Sequence, residues 1–509
     1  MERTKRTVWN TMWGFVQKLV MIFSPFIIRT IIIKILGAEY LGLNSLLTSV
    51  LQILNMAELG FSSAIVFSLY EPLAQKKTSK VCALMALYRK IYRYIGCGIL
   101  VMGICLTPFL HVFIKNGVPA DINLYAIYLM YLANTVLSYL LFAYKSALLD
   151  ASQHYDIISK VNTLVLLLQY AAQIAILFVF KNYYLFYILT PICTIIYNLV
   201  LSFVVDKKYP EYKANGSLEL NELKDLKKRV QGVLIAKVCM VSRNAISSIV
   251  VSAVLGLVQV AMFTNYFLIV TSIASFLNVI STSMSASVGN SMSLESEQKN
   301  YTDFLKFSFM YAWLSGVITV CMVATYQEFM TLWVGKDYLL GISMPLFCSC
   351  YFFLLSSGDI RSAYMNAKGL WWENRWRTVL ESLSNIIFSV VFIHLIGIDG
   401  VIVGPMLSLL LFNFIMSTFI LYRYCFPSMK KRDYFMRYGR YTITIGFAIL
   451  AAIFFSTSIT SILIDSHLLN FFVCGFFAFF LTNFLLYASC RNDKYFALAQ
   501  SFICRLIKK

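Results

Sequence analysis

Charge is scarce in this chain. Only 13% of its 509 residues are Asp, Glu, Lys or Arg, against about 25% in soluble domains. Proline and glycine are also few, at 9 and 23, which excludes collagen-like and low-complexity sequence. No CxxC pair occurs, and most of the 12 cysteines lie inside apolar runs, so neither a disulfide framework nor a metal site is expected. The phosphate-binding GxxxxGK[ST] loop is missing, as are GxGxxG, HExxH and GxSxG, which leaves no ATP motor and no recognisable catalytic motif. We therefore assign no catalytic residue and no metal ligand.

What fills the chain instead is apolar sequence: 59% of residues, or about 300, enough for up to roughly 15 membrane helices at about 20 residues each. Mean hydropathy is +0.73. The composition is that of an all-α integral membrane protein. Apolar runs between charged or Gly/Pro punctuation predict about 14 transmembrane helices, near 12–36, 41–70, 91–114, 122–148, 158–180, 184–205, 231–255, 257–291, 305–330, 342–366, 378–397, 398–421, 441–463 and 467–489. The first of these is too long for the apolar core of a signal peptide and is expected to stay as a helix.

The net charge of +19 would suggest nucleic acid in a soluble protein, but here it reports topology and implies no nucleic-acid partner. Basic residues crowd one set of alternate turns, while the other set holds only Lys115, Lys181 and Lys336. That asymmetry places both termini and the 206–230 segment on the cytoplasmic side and requires an even number of spans. A weak internal repeat at an offset of 219 residues sets Lys18 on Lys237, Leu36 on Leu255 and Gly37 on Gly256. It predicts two six-helix lobes of the same orientation, 1–205 and 231–421, joined by a linker at 206–230. A basic loop at 422–440, two additional helices at 441–489 and a cytoplasmic tail at 490–509 complete the plan.

Ionisable groups inside spans are the functional candidates, since each costs about 2.5–3.5 kcal/mol at the bilayer centre. Lys18 and Arg29 share a face of the first helix, and Lys237 and Arg243 occupy comparable depths of the seventh. Together with Arg361 they form a candidate cationic site for an anionic substrate; Lys34 is expected to snorkel outward. The series Asn44, Thr48, Gln52, Asn55 forms a polar face on the second helix that would line a cavity. Glu58 and Asp359 are the embedded acids and the candidate sites for coupling to H⁺ or Na⁺. Arg377 and Glu381 read as an ordinary intrahelical pair.

Several stretches resemble a known family. Gly37-Ala-Glu-Tyr-Leu-Gly-Leu-Asn-Ser45, Ala57-Glu-Leu-Gly-Phe-Ser-Ser-Ala64, Tyr70-Glu-Pro-Leu-Ala74, Ser247 to Tyr266, Asn366 to Arg377 and Glu381 to Gly404 are similar to segments of bacterial oligosaccharide repeat-unit flippases. These flippases serve O-antigen, capsule and exopolysaccharide synthesis and belong to the multidrug/oligosaccharidyl-lipid/polysaccharide exporter superfamily. The resemblance implies two six-helix lobes around a central cavity, often with two extra helices. It also implies alternating-access transport of undecaprenyl-pyrophosphate-linked oligosaccharide across the bacterial cytoplasmic membrane, with other polysaccharide-assembly membrane proteins as candidate partners. The competing readings are a multidrug or metabolite exporter of the same superfamily and a membrane polysaccharide polymerase. The short external loops, with scattered carboxylates and no paired motif, disfavour the polymerase.

Overall fold

The computed structural model describes residues 2–58, 61–218, 245–462 and 466–507, together with 238, 239 and 241. Among the described residues every regular element is helical. The first compact unit, Met1–Ala261, contains α1 (Glu2–Ile35), α2 (Ala38–Leu54), α3 (Phe61–Ala74), α4 (Thr78–Leu106), α5 (Leu124–Leu140), α6 (Ser146–Ala151), α7 (Tyr155–Phe180), α8 (Tyr183–Lys208) and α9 (Ala245–Leu255). The second, Met262–Lys509, contains most of α10 (Leu257–Leu294), then α11 (Glu297–Val334), α12 (Ser343–Ala367), α13 (Arg375–Ile396), α14 (Gly400–Ser408), α15 (Ser417–Tyr424), α16 (Lys431–Ile462), α17 (His467–Cys490) and α18 (Lys494–Ile507).

Each of the fourteen expected spans coincides with helix, the seventh being described continuously over Ala245–Leu255. Nine helices among the described residues are long and apolar enough to cross a bilayer, or ten if one bent pair counts as a single span. Their outward faces carry large apolar side chains such as Leu168, Phe203 and Phe480, exposed by 66–70%. In water such a belt would aggregate; in a bilayer it is the solvated surface.

Two expected spans are broken. The 41–70 span divides where α2 ends at Leu54 and a 3₁₀ turn, Asn55–Glu58, follows. The 122–148 span bends by 46° after Leu140. There Phe142 takes a left-handed backbone, φ 55°, which no continuing right-handed helix can contain. α9 groups with the first unit although the sequence reading assigned 231 onward to the second lobe. Its end packs on unit 1 backbone: Lys115 N donates to Ser252 O at 3.3 Å, and a Cβ on Gly42 would lie 1.9 Å from Leu257 O.

The repeat holds at the level of elements. α2 and α10, α4 and α11, and α5 and α12 each begin 219 residues apart, and Gly37 and Gly256 both adopt positive φ just before the first of these pairs. In unit 2, Gly400 and Gly404 let α14 lie directly on α13; a Cβ at either would fall 2.2–2.6 Å from α13 backbone. The 490–509 segment is helical over α18, which is tied down by its N-terminal Asp493. That carboxylate is buried and accepts two bonds from Arg437 (2.7 and 2.9 Å) and one from Arg440 on α16.

Candidate functional site

In unit 1, the buried face of α4 repeats every three to four residues and carries Tyr88 and Tyr92 one turn apart. The 3₁₀ turn after α2 aims Glu58 at that face. Tyr92 Oη donates to Glu58 Oε1, Tyr139 Oη on α5 donates to Oε2 at 2.9 Å, and Tyr88 Oη donates to Tyr92 Oη at 2.7 Å. Two phenols thus hold the carboxylate directly, hydrogen bonds to a charged group being worth roughly 1.5–3 kcal/mol each, and Tyr88 supports one of them through the Tyr92 hydroxyl. The group opens on a chamber of about 310 Å³ whose far wall includes Asn162, Gln169, Thr194 and Asn198, with no Lys or Arg among the described residues of its lining. The wall thus surrounds the carboxylate with hydroxyl and amide groups.

The cations of α1 lie apart from this lining. Lys18 and Arg29 are half-buried and Lys34 is exposed. Pro25 interrupts the α1 hydrogen-bond ladder one turn before Arg29. On α2, Thr48 and Gln52 are exposed and Asn44 half-buried, as is Asn55 at the start of the 3₁₀ turn, whereas Leu43, Leu46, Leu47, Val50 and Leu51 are buried. Thr48 and Gln52 thus face outward, while Asn44 is engaged by the Tyr131 hydroxyl. Lys237 and Arg243 lie outside the described residues.

In unit 2 the two expected polar residues of α12 part company. Asp359 Oδ2 accepts from Tyr311 Oη at 2.5 Å. Arg361 is fully buried: it donates to Tyr434 Oη (2.7 Å), Ser357 Oγ (3.3 Å) and Asn413 O (3.1 Å), with its guanidinium 4.9 Å from the Phe414 ring centre. Asn413 and Phe414 belong to a π-helical segment, Leu409–Met416, which joins α14 to α15, while Tyr434 lies on α16 and Ser357 on α12 itself. Arg361, expected to draw in substrate, has no surface open to a ligand here; it braces that segment. Arg377 and Glu381 form the expected intrahelical pair, 2.5 Å, almost fully buried.

Sequence reasoning missed the tyrosines. Tyr92 and Tyr311, each bonded to a carboxylate, stand 219 residues apart, so the repeat already marked them. It also missed a large apolar groove of about 890 Å³ in unit 2. Met284 of α10, Trp313 and Val317 of α11, Phe479 of α17, and Phe496 and Phe502 of α18 are among the residues that wall it.

The lipid II flippase MurJ, in an inward closed conformation, is similar to this chain with a TM-score of 0.68 at 13% identity, covering 94% of this chain and 99% of MurJ. An inward-facing multidrug resistance MATE family transporter of the MOP superfamily gives 0.63 at 13% identity, with 81% and 94% covered. An outward-facing MATE family transporter gives 0.56 at 14%, with 82% and 95% covered. No protein-family model and no curated protein matches the sequence. The chain has the fold of these multi-pass membrane transporters, and the neighbours are transporters and flippases, not enzymes.

Proposed function

We propose that the chain flips undecaprenyl-pyrophosphate-linked oligosaccharide repeat units from the inner to the outer leaflet of a bacterial cytoplasmic membrane by alternating access. Its product would feed capsule, O-antigen or exopolysaccharide assembly. The observation that carries this reading is the apolar groove walled partly by α17 and α18. Its volume and lining suit a prenyl chain, and a soluble cargo has no use for it. The wider coverage of MurJ than of the MATE transporters supports it as a matter of fold.

On this proposal Arg29 and Arg243 contact the diphosphate, each offering paired charge-assisted hydrogen bonds, while Lys18 and Lys237 attract it from the inner leaflet. Arg361 is not in this set. Arg29→Ala should abolish translocation with expression and insertion intact, Arg29→Lys should keep part of it, and Lys34→Ala should matter little. The measurement is accumulation of lipid-linked repeat units in the inner leaflet, and wild-type turnover by Arg29→Ala combined with Arg243→Ala would remove the mechanism. Glu58 and Asp359 are proposed as the coupling acids. Both termini and the 206–230 linker are proposed as cytoplasmic, so a single cysteine at position 215 should resist impermeant thiol reagents in intact cells.

A second reading, export of cationic small molecules, is favoured by the acidic chamber around Glu58. It predicts drug hypersensitivity on deletion with lipid-linked intermediates unchanged.

A further inference from the structure

A second cavity in unit 1 is basic, and neither the repeat nor the proposed cargo path assigns it a role. After α8 ends at Lys208, the chain folds back over the N-terminal half of α4: Cys82 Sγ donates to Glu211 O at 3.6 Å, and a Cβ on Gly216 would sit 3.7 Å from that of Ala83. Between this strap and the helix lies a pocket of about 640 Å³. Its floor is small and apolar, from Ala83, Ala86 and Leu87 with Leu218 of the strap, and its rim carries Arg89, Lys90 and Arg93. Among the described residues no carboxylate lines it.

Depth gives the pocket its meaning. α4 has 29 residues, or about 43 Å at 1.5 Å per residue, longer than the roughly 30 Å hydrocarbon layer. The sequence after Arg93 runs to Ile114 with no Lys, Arg, Asp or Glu, about 20 residues, which is one bilayer crossing. Hydropathy therefore sets the three cations, within about 100° of arc on one side of α4, where the helix would leave the hydrocarbon at headgroup level. A topology signal alone would need only charge; it would not need a cavity between helix and strap with an apolar floor.

We propose that this pocket binds the phosphate-bearing headgroup of a membrane lipid, the three cations holding the phosphate and the alanine floor receiving the first carbons of the chain. A prenyl diphosphate carrier and an anionic glycerophospholipid share this chemistry. The proposal stands whether or not the protein carries oligosaccharide, because it concerns a lipid site and no transport step.

The test uses the purified full-length protein in nanodiscs of neutral lipid, with binding read by native mass spectrometry against undecaprenyl diphosphate, phosphatidylglycerol and inorganic diphosphate. The triple variant Arg89→Gln/Lys90→Gln/Arg93→Gln should weaken lipid-phosphate binding by about a hundredfold, as expected for three interfacial cations. Ala86→Leu, which fills the floor and leaves every charge in place, should weaken it several-fold. A charge-matched control, Lys430→Gln/Lys431→Gln/Arg432→Gln, should bind as wild type. Whichever of the two lipids binds more tightly identifies the source. Equal loss in the control, wild-type binding by Ala86→Leu, or inorganic diphosphate binding as tightly as either lipid would each overturn the proposal.

Discussion

The second and fourth helices of the repeat are interrupted in unit 1 and continuous in unit 2. α2 and α3 are separated by the turn at Asn55–Glu58, whereas α10 runs unbroken from Leu257 to Leu294 over the same stretch of the repeat. α5 bends at Phe142, whereas α12 continues to Ala367. At the 219-residue offset Glu58 corresponds to Leu277, which is buried, and Phe142 corresponds to Arg361. Both interruptions border the same chamber, which is lined by Glu58 from one and by Tyr139, Ala143 and Ser146 from the other. Breaking two helices in unit 1 thus makes a polar chamber. Where unit 2 keeps them whole, an apolar residue and a bonded arginine occupy the equivalent positions. The tyrosine persists through this change: Tyr92 lines the polar chamber and Tyr311 lines the apolar groove, each giving its hydroxyl to an acid. Duplicated helices have kept a register and diverged in what their cavities suit.

The contrast can be broken most severely at Arg361. Arg361→Leu leaves the Tyr434 hydroxyl and the Asn413 carbonyl without their partner, and should cost about 3–5 kcal/mol, several charged hydrogen bonds at 1.5–3 kcal/mol each being partly recovered by packing. Thermal unfolding in detergent would show it. A variant as stable as wild type would mean the π segment stands without its brace.

Next in size is the exchange of the acid for its repeat counterpart. Glu58→Leu should destabilise by about 2–4 kcal/mol, because the Tyr92 and Tyr139 hydroxyls lose their acceptor. Glu58→Gln keeps an acceptor oxygen and should cost little stability. It should still lose transport driven by an imposed ion gradient, measured in proteoliposomes; unchanged transport in Glu58→Gln combined with Asp359→Asn would remove both acids from coupling.

The smallest effect is expected at Phe142, exposed and left-handed. Asn tolerates that conformation better, so Phe142→Asn should raise stability by about 0.5–1 kcal/mol if the bend is built into the fold. A loss instead would assign Phe142 a packing role, for which its 5.1 Å contact with Lys145 is the candidate.

Hydropathy made the spans legible, since membrane helices must be long and apolar to satisfy their backbone. The repeat was legible from Lys18, Leu36 and Gly37 because a hairpin glycine at positive φ tolerates little else. The breaks were not. A helix, a 3₁₀ turn and a bent pair bury the same apolar side chains, so the average over 41–70 carries no trace of the change to a 3₁₀ turn at Asn55–Glu58. Arg361 illustrates the other blind spot. An embedded cation in sequence shows its cost but not the Tyr434 and Asn413 atoms, far along the chain, that offset it. Tyrosines hide for a related reason, counting as apolar bulk while their hydroxyls hold Glu58. α18 was read as a tail because 14 residues are too few to register as a span.

The close seat of α14 on α13 has a mechanical consequence. Side-chain layers between helices act as a lubricant, and at Gly400 and Gly404 that layer is absent. The two helices cannot roll over one another there and must swing as one stiff arm. Beyond that arm the chain passes into the π turns of Leu409–Met416, which Arg361 on α12 holds through the Asn413 carbonyl, so the arm is anchored where it ends.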